Sequence, residues 1–244
     1  MLSDFKTRRL SLFEVFIWAL RVFRNKFVAI VAVTAFVYLP MYAILALLPE
    51  QYDLSFAFLS GRSANDADAL TSLYINAGTI ILFEPLAIAS YAIICRATIE
   101  DEESRLPAIL DQAIHKWVKL SLTYFLYLTL IICSAPLIIL PIYFAVSYVF
   151  CSHIVAVSDM WGFRAFAESR RLIKGRFFFT AAFFLFMTIL TLAIGIGLSA
   201  LLAGLMNNIL AMIIFRTATG ILTAYFSIVT TIYFLNLFYL NKGR

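Results

Sequence analysis

Charge is scarce in this chain. Only 14% of its 244 residues are Asp, Glu, Lys or Arg, against about 25% in ordinary soluble domains, and 63% are hydrophobic. No polar stretch is long enough to form a separate soluble catalytic domain. Cysteine and histidine are just as thin. Cys95, Cys133 and Cys151 lie within or at the edge of apolar runs, no CxxC pair occurs, and His115 and His153 lack a partner set at ligand spacing. These absences argue against a disulfide framework, a metal site or a cofactor. The net charge of +5 is parcelled into short basic segments beside apolar runs, which is not a nucleic-acid footprint. Gly195-Ile196-Gly197 lacks the strand–turn–helix setting of a phosphate loop.

What remains is a membrane protein. A bilayer core about 30 Å thick takes about 20 apolar residues as helix, and the runs are long enough: 27–48, 70–95, 118–138, 141–157, 177–206 and 217–240. The stretch from Val118 to Val157 suits two spans joined by a tight turn between Pro136 and Pro141. The fold class expected is all-α, with six transmembrane helices in a single membrane domain. Basic residues recur through Lys26, and the first run ends in LLPEQ rather than a cleavage site, so the start reads as mature chain. With both ends cytoplasmic, seventeen Lys and Arg lie inside and only Arg62 and Arg216 outside. That asymmetry gives an N-in, C-in orientation in a cell (plasma or inner) membrane.

The inner polar segments resemble one another. Phe13–Phe27 (FEVFIWALRVFRNKF) lies over Phe163–Phe177 (FRAFAESRRLIKGRF) without a gap, matching Arg21 to Arg171, Arg24 to Lys174 and Lys26 to Arg176. Pro107–Lys119 fits more loosely. All three tryptophans, Trp18, Trp117 and Trp161, fall one to a segment. Trp is enriched where apolar meets polar, so segments 11–26, 104–117 and 161–176 read as interfacial helices with tryptophan anchors. Each precedes two spans, giving three same-direction repeats of interfacial helix plus hairpin.

Ala165, Ser169, Leu172 and Lys174-Gly175-Arg176-Phe177 form an A…S…L.KGRF run. It resembles the signature before the last hairpin in the membrane domain of glycerophosphoryl diester phosphodiesterases and of related six-helix bacterial membrane proteins. The proline-bearing middle hairpin and the FYLNKGR ending resemble that group too. Arg164 stands where a Glu is often expected. The resemblance implies a fold and a membrane setting. It does not imply hydrolysis, because the catalytic barrel is absent.

Two candidate sites follow. Glu84, beside Pro85 in the second run, is the one acid deep inside a span. Intramembrane carboxyls cost several kcal/mol unless neutralised or paired, so it reads as a helix-pinning hydrogen bond or as part of a polar path. The second site is the basic surface formed by Arg21, Arg24, Lys26, Arg164, Arg170, Arg171, Lys174 and Arg176, which suits anionic lipid or a protein partner at the cytoplasmic face. The acidic run Glu100–Glu103 reads as a solvated loop, and His153 as a satisfied histidine near the inner end of the fourth span. No nucleophile–base or metal arrangement occurs. The function expected is a non-enzymatic membrane scaffold or homeostasis component, with a small transporter or permease subunit using Glu84 as the alternative.

Overall fold

A chain in lipid must satisfy its backbone internally, which selects helices or closed barrels. The computed structural model describes residues 5, 8–46, 66–102, 105–158, 160–202 and 209–242, and no strand occurs among them. The helices are α1 (Leu12–Asn25), α2 (Phe27–Ala46), α3 (Asp66–Glu100), α4 (Leu106–Ser134), α5 (Ile139–Ser147), α6 (Cys151–Val157), α7 (Phe163–Ile173), α8 (Phe177–Leu202) and α9 (Ile209–Lys242). Among the described residues five stretches are long and apolar enough to cross a membrane: Tyr74–Glu100, Leu106–Leu137, Ile139–Val157, Phe177–Leu198 and Thr219–Asn241. Leu12–Asn25 with Phe27–Met41 supplies a sixth if that pair, bent by 85°, counts as one.

Local chemistry explains most of the ends. α1 opens on a capping box: the Glu14 N–H donates to the Ser11 hydroxyl at 3.3 Å, and the Ser11 N–H donates to the Glu14 carboxylate at 2.8 Å. Arg8 adds a 2.6 Å ion pair. The Ser11 N–H above all, with the Ser11 hydroxyl and Arg8, holds the Glu14 carboxyl below its usual range against a smaller opposing desolvation. α7 is bracketed by Gly162 (φ 60°) and Gly175 (φ 78°), left-handed conformations that cost glycine little. The Arg176 N–H then reaches back to the Ile173 carbonyl at 2.8 Å, and α8 starts at once.

The middle of the chain departs from expectation. Segment 104–117 is not set off from the span after it, because α4 runs unbroken from Leu106 to Ser134 (residue 104 lies outside the described residues). Lys116-Trp117-Val118-Lys119 holds no Gly, Pro or capping residue to stop it, whereas Asn25-Lys26 and Lys174-Gly175 end α1 and α7. The hairpin turn falls at Ala135–Leu137 and Ile138. The following apolar run is interrupted at Tyr148–Phe150, separating α5 from α6. α3 runs on past residue 95 to Glu100, so that residue is not in a solvated loop. Its carboxylate accepts from Arg96 Nε at 2.9 Å and from the Tyr239 hydroxyl at 2.6 Å. Asp101 (φ 57°) turns the chain out, and the Glu102 N–H caps the Ala97 carbonyl at 2.8 Å. Glu103 lies outside the described residues.

The core sits where α3, α6 and α9 meet. Tyr91, Ile94, Phe150, Ile154, Ile232 and Phe234 are all buried there. Arg96 Nη1 and Lys116 Nζ each donate at 3.2 Å to the last carbonyls of α6, Val157 and Ala156. Cations at a helix C-terminus also meet the negative end of its dipole. The residues ahead of α1 are pinned to α9 by Asn236. Its Oδ1 accepts from the Leu10 N–H at 3.2 Å, while its Nδ2 donates to the Phe5 carbonyl at 2.8 Å and the Arg8 carbonyl at 3.1 Å. Phe5 is buried and meets the Trp18 ring edge-on at 5.3 Å.

Asn236→Ala removes all three bonds, so a loss of about 2–3 kcal/mol is expected at about 1 kcal/mol each. The readouts are a lower melting temperature in detergent and faster amide exchange at Leu10; unchanged exchange there would show that the arm is held by something else. Ser11→Ala should cost about 1 kcal/mol of α1 stability. Because the folded carboxyl of Glu14 titrates below its unfolded value of about 4.3, the contribution of this cap is present above that pH. It fades as pH falls through the lower folded value. Exchange protection of residues 14–17, followed from pH 6 to pH 3, should therefore drop at the acid end in wild type and change less in Glu14→Gln.

Candidate functional site

The intramembrane site is built from α2 and α3. Pro85 cannot donate to the carbonyl one turn back, and this loosens α3 locally beside Glu84. The Tyr38 hydroxyl donates to Glu84 Oε2 at 3.0 Å, joining the two helices through the carboxyl. One turn further in, Thr34 gives its hydroxyl hydrogen to the Ile30 carbonyl at 2.7 Å. That leaves the Tyr91 hydroxyl as donor in the 2.9 Å contact with Thr34. The Trp117 indole N–H donates to the Leu82 carbonyl at 2.6 Å, tying α4 to α3 next to the same Pro85 step.

The groove beside this cluster, about 470 Å³, is lined by Phe36, Leu39, Phe83, Leu86, Ile114 and Trp117 and is apolar throughout. Glu84 does not line it. The geometry does helix-pinning chemistry: a carboxyl, two phenols, a hydroxyl and an indole each make a specific bond between neighbouring helices. Among the described residues no group of three or more His, Cys, Asp or Glu side chains could hold a metal ion.

The basic residues divide into three settings. On α1, Arg21 stacks over the Trp18 ring with 4.9 Å to its centroid, Arg24 is exposed in the last turn, and Lys26 caps the helix through its backbone N–H to the Val22 carbonyl. On α7, Arg164, Arg170 and Arg171 are exposed, as is Lys174 just after it, while Ala165, Phe166, Ser169, Leu172 and Ile173 are buried. The Ser169 hydroxyl donates to the Ser147 carbonyl at 2.9 Å, and Phe166 packs on Tyr148, so α7 turns its apolar face to α5. Arg171 pairs with Glu168 at 2.8 Å. Arg176 is half-buried at the start of α8, away from that exposed face, and lines a pocket with Arg9.

The three tryptophans are not equivalent. Trp161 is exposed, Trp18 is clasped between Phe5 and Arg21, and Trp117 is bonded into the α3–α4 contact. His153 departs furthest from expectation. It is buried in α6 with no hydrogen-bond partner for either ring nitrogen among the described residues, and its ring lies against Phe150 and Phe234 at 6.0 and 5.3 Å. Among the described residues no protein group satisfies it. His115 is exposed, within 3.3 Å of Asp111. Sequence reasoning also missed Asn236, Tyr38 and Arg9. A signal existed for Asn236, an amide within an apolar run, to which the argument made for Glu84 applies equally.

An unpartnered buried imidazole destabilises by about 1–3 kcal/mol. His153→Leu should thus leave the melting temperature unchanged or raise it, and a clear drop would mean that the ring makes a bond that matters.

The family described as Domain of unknown function (DUF8558) matches residues 97–241, which run from the last turn of α3 almost to the end of α9. No curated protein and no solved structure matches the chain.

Proposed function

Since the chain belongs to the family described as Domain of unknown function (DUF8558), a name that carries no activity, we propose from its own residues that it is a non-enzymatic membrane scaffold holding anionic lipid on its cytoplasmic face. In this reading the protein lies in the cell membrane with both ends inside, the side on which Lys and Arg concentrate. The exposed basic face of α7 carries the proposal. Arg164, Arg170, Arg171 and Lys174 are exposed on or just after a helix that buries Ala165, Phe166, Leu172 and Ile173 against the bundle, and Trp161 and Phe163 are exposed at its start. Such a face meets anionic headgroups at about 1 kcal/mol per nearby charge. On α1, Phe13, Ile17 and Leu20 form an exposed apolar stripe next to Arg24, the pairing an interfacial helix needs.

The three-repeat reading is part of the proposal, and burial supports it. Under the gapless overlay, buried Val15, Ala19 and Val22 fall on buried Ala165, Ser169 and Leu172. In the looser overlay, buried Ile109 and Ala113 fall on Val15 and Ala19. The same register of each segment therefore faces the bundle. The resemblance of the A…S…L.KGRF run to the membrane domain of glycerophosphoryl diester phosphodiesterases is in keeping with this setting and brings no hydrolytic chemistry. A protein partner on the same basic face fits the charge equally well. The second reading, a small transporter, is favoured by one observation, the Tyr38–Glu84 bond inside the membrane region.

The test compares wild type with the triple reversal Arg170→Glu, Arg171→Glu, Lys174→Glu in nanodiscs of phosphatidylcholine with and without 30 mol% (about a third) phosphatidylglycerol, chosen to give a strong anionic surface. Anionic lipid should raise the melting temperature of wild type, with less effect at high salt, and the triple variant should lose most of the rise. An equal rise in both would remove the basis of the scaffold reading. Glu84→Gln should behave as wild type in this assay. A pH-dependent liposome flux abolished by Glu84→Gln would replace the scaffold reading with the transporter one.

A further inference from the structure

The basic faces of α1 and α7 are open surfaces, but a different place has the shape of a binding site. Where the residues ahead of α1 cross the start of α8 and the inner part of α9, they leave a pocket of about 490 Å³. Arg9, Arg176, Phe177, Phe178 and Phe179 line it together with Tyr233, Asn236 and Leu237 of α9. A guanidinium is protonated at any physiological pH, so two arginines give the pocket a positive charge that suits a phosphate.

Each wall is held in place by interactions already described. Asn236 is buried and fixes the arm carrying Arg9 through its three backbone bonds. Gly175, in the left-handed conformation, sets the turn that brings Arg176 and the three phenylalanines into line. The arginines of the pocket thus come from positions far apart in the chain, and the fold brings them together.

The occupant is indicated by what continues from the mouth. Phe178 is exposed at the rim, and Leu185, Ile189, Leu192 and Ile196 follow it at helical spacing along α8, all exposed and all apolar. A soluble phosphate has no use for such a track. A phospholipid does, because its acyl chains lie along it while the headgroup sits between the arginines. We propose that this pocket is a discrete anionic-phospholipid site, with Arg9 and Arg176 contacting the headgroup phosphate and the exposed stripe of α8 seating an acyl chain. It rests on the anionic-lipid reading given above and sharpens it from a charged face to one site.

The test is native mass spectrometry of the full chain released from nanodiscs of mixed phosphatidylglycerol and phosphatidylcholine, counting retained lipids. Wild type should keep one phosphatidylglycerol preferentially. Arg9→Gln/Arg176→Gln should bind it roughly thirtyfold more weakly, and Arg9→Gln alone, on an exposed residue of the arm, roughly fivefold, the weight of one surface charge on an anionic bilayer. Arg105→Gln/Lys119→Gln, exposed at and along α4 and outside both basic faces, should keep that lipid. If Arg176 variants fail to fold, the Arg9→Gln result decides. Retention unchanged in Arg9→Gln, or equal losses in the pocket and α4 doubles, overturns the site while leaving the surface reading standing. No preference for phosphatidylglycerol in wild type overturns both. Displacement of the bound lipid by millimolar sn-glycerol 3-phosphate would assign the pocket to a soluble phosphate and overturn the lipid as occupant.

Discussion

The molecule depends on the close packing of α3, α6 and α9 against one another. Their meeting faces are buried, so the helices there contact protein rather than lipid. In a bilayer this gains no hydrophobic transfer energy, since acyl chains are as apolar as leucine. The helices must be held by fit and by polar bonds between them, and such bonds are what ring this core. Arg96 and Lys116 close the end of α6, Glu100 ties α3 to α9, and Tyr38, Tyr91 and Trp117 tie α2 and α4 to α3.

The polar groups therefore have a common grammar. The groups that tie the core are bonded to a helix other than their own, whereas Ser90 and Thr231 bond back within theirs, and His153, without a partner among the described residues, lies against Phe150 and Phe234. Glu84 belongs to this grammar more simply than to a transport path, because its donor is a tyrosine of the adjacent helix and the nearby groove is apolar. Arg164, Arg170 and Arg171 follow the opposite rule. On α7 they point away from the bundle, and it is the small residues Ala165 and Ser169 that let the helix approach it.

How much of this was legible depends on range. Membrane-helical class follows from composition and run length alone. The turn near Pro136 and the sharp joints at Lys26 and Gly175 are written in local residues whose backbone preferences act over a few positions. The uninterrupted α4 was missed because periodicity and charge suggested a boundary at 117, while backbone chemistry supplied none. The break at Tyr148–Phe150 has no glycine or proline to announce it. The pairings of Asn236 with Leu10 and of Arg9 with Arg176 were out of reach. They join positions far apart in the chain, and a single sequence holds no information about which distant residues become neighbours.

The clasp of Asn236 on the arm has a temporal side. Leu10 leaves the ribosome 226 residues before the amide that will receive it. Throughout that interval the arm's backbone groups are left to water, and Phe5 has not reached the seat in which it ends up buried. The pocket between Arg9 and Arg176 does not exist until then either. Formation of α9 is thus the event that fastens the arm to the bundle and shapes the pocket beside it.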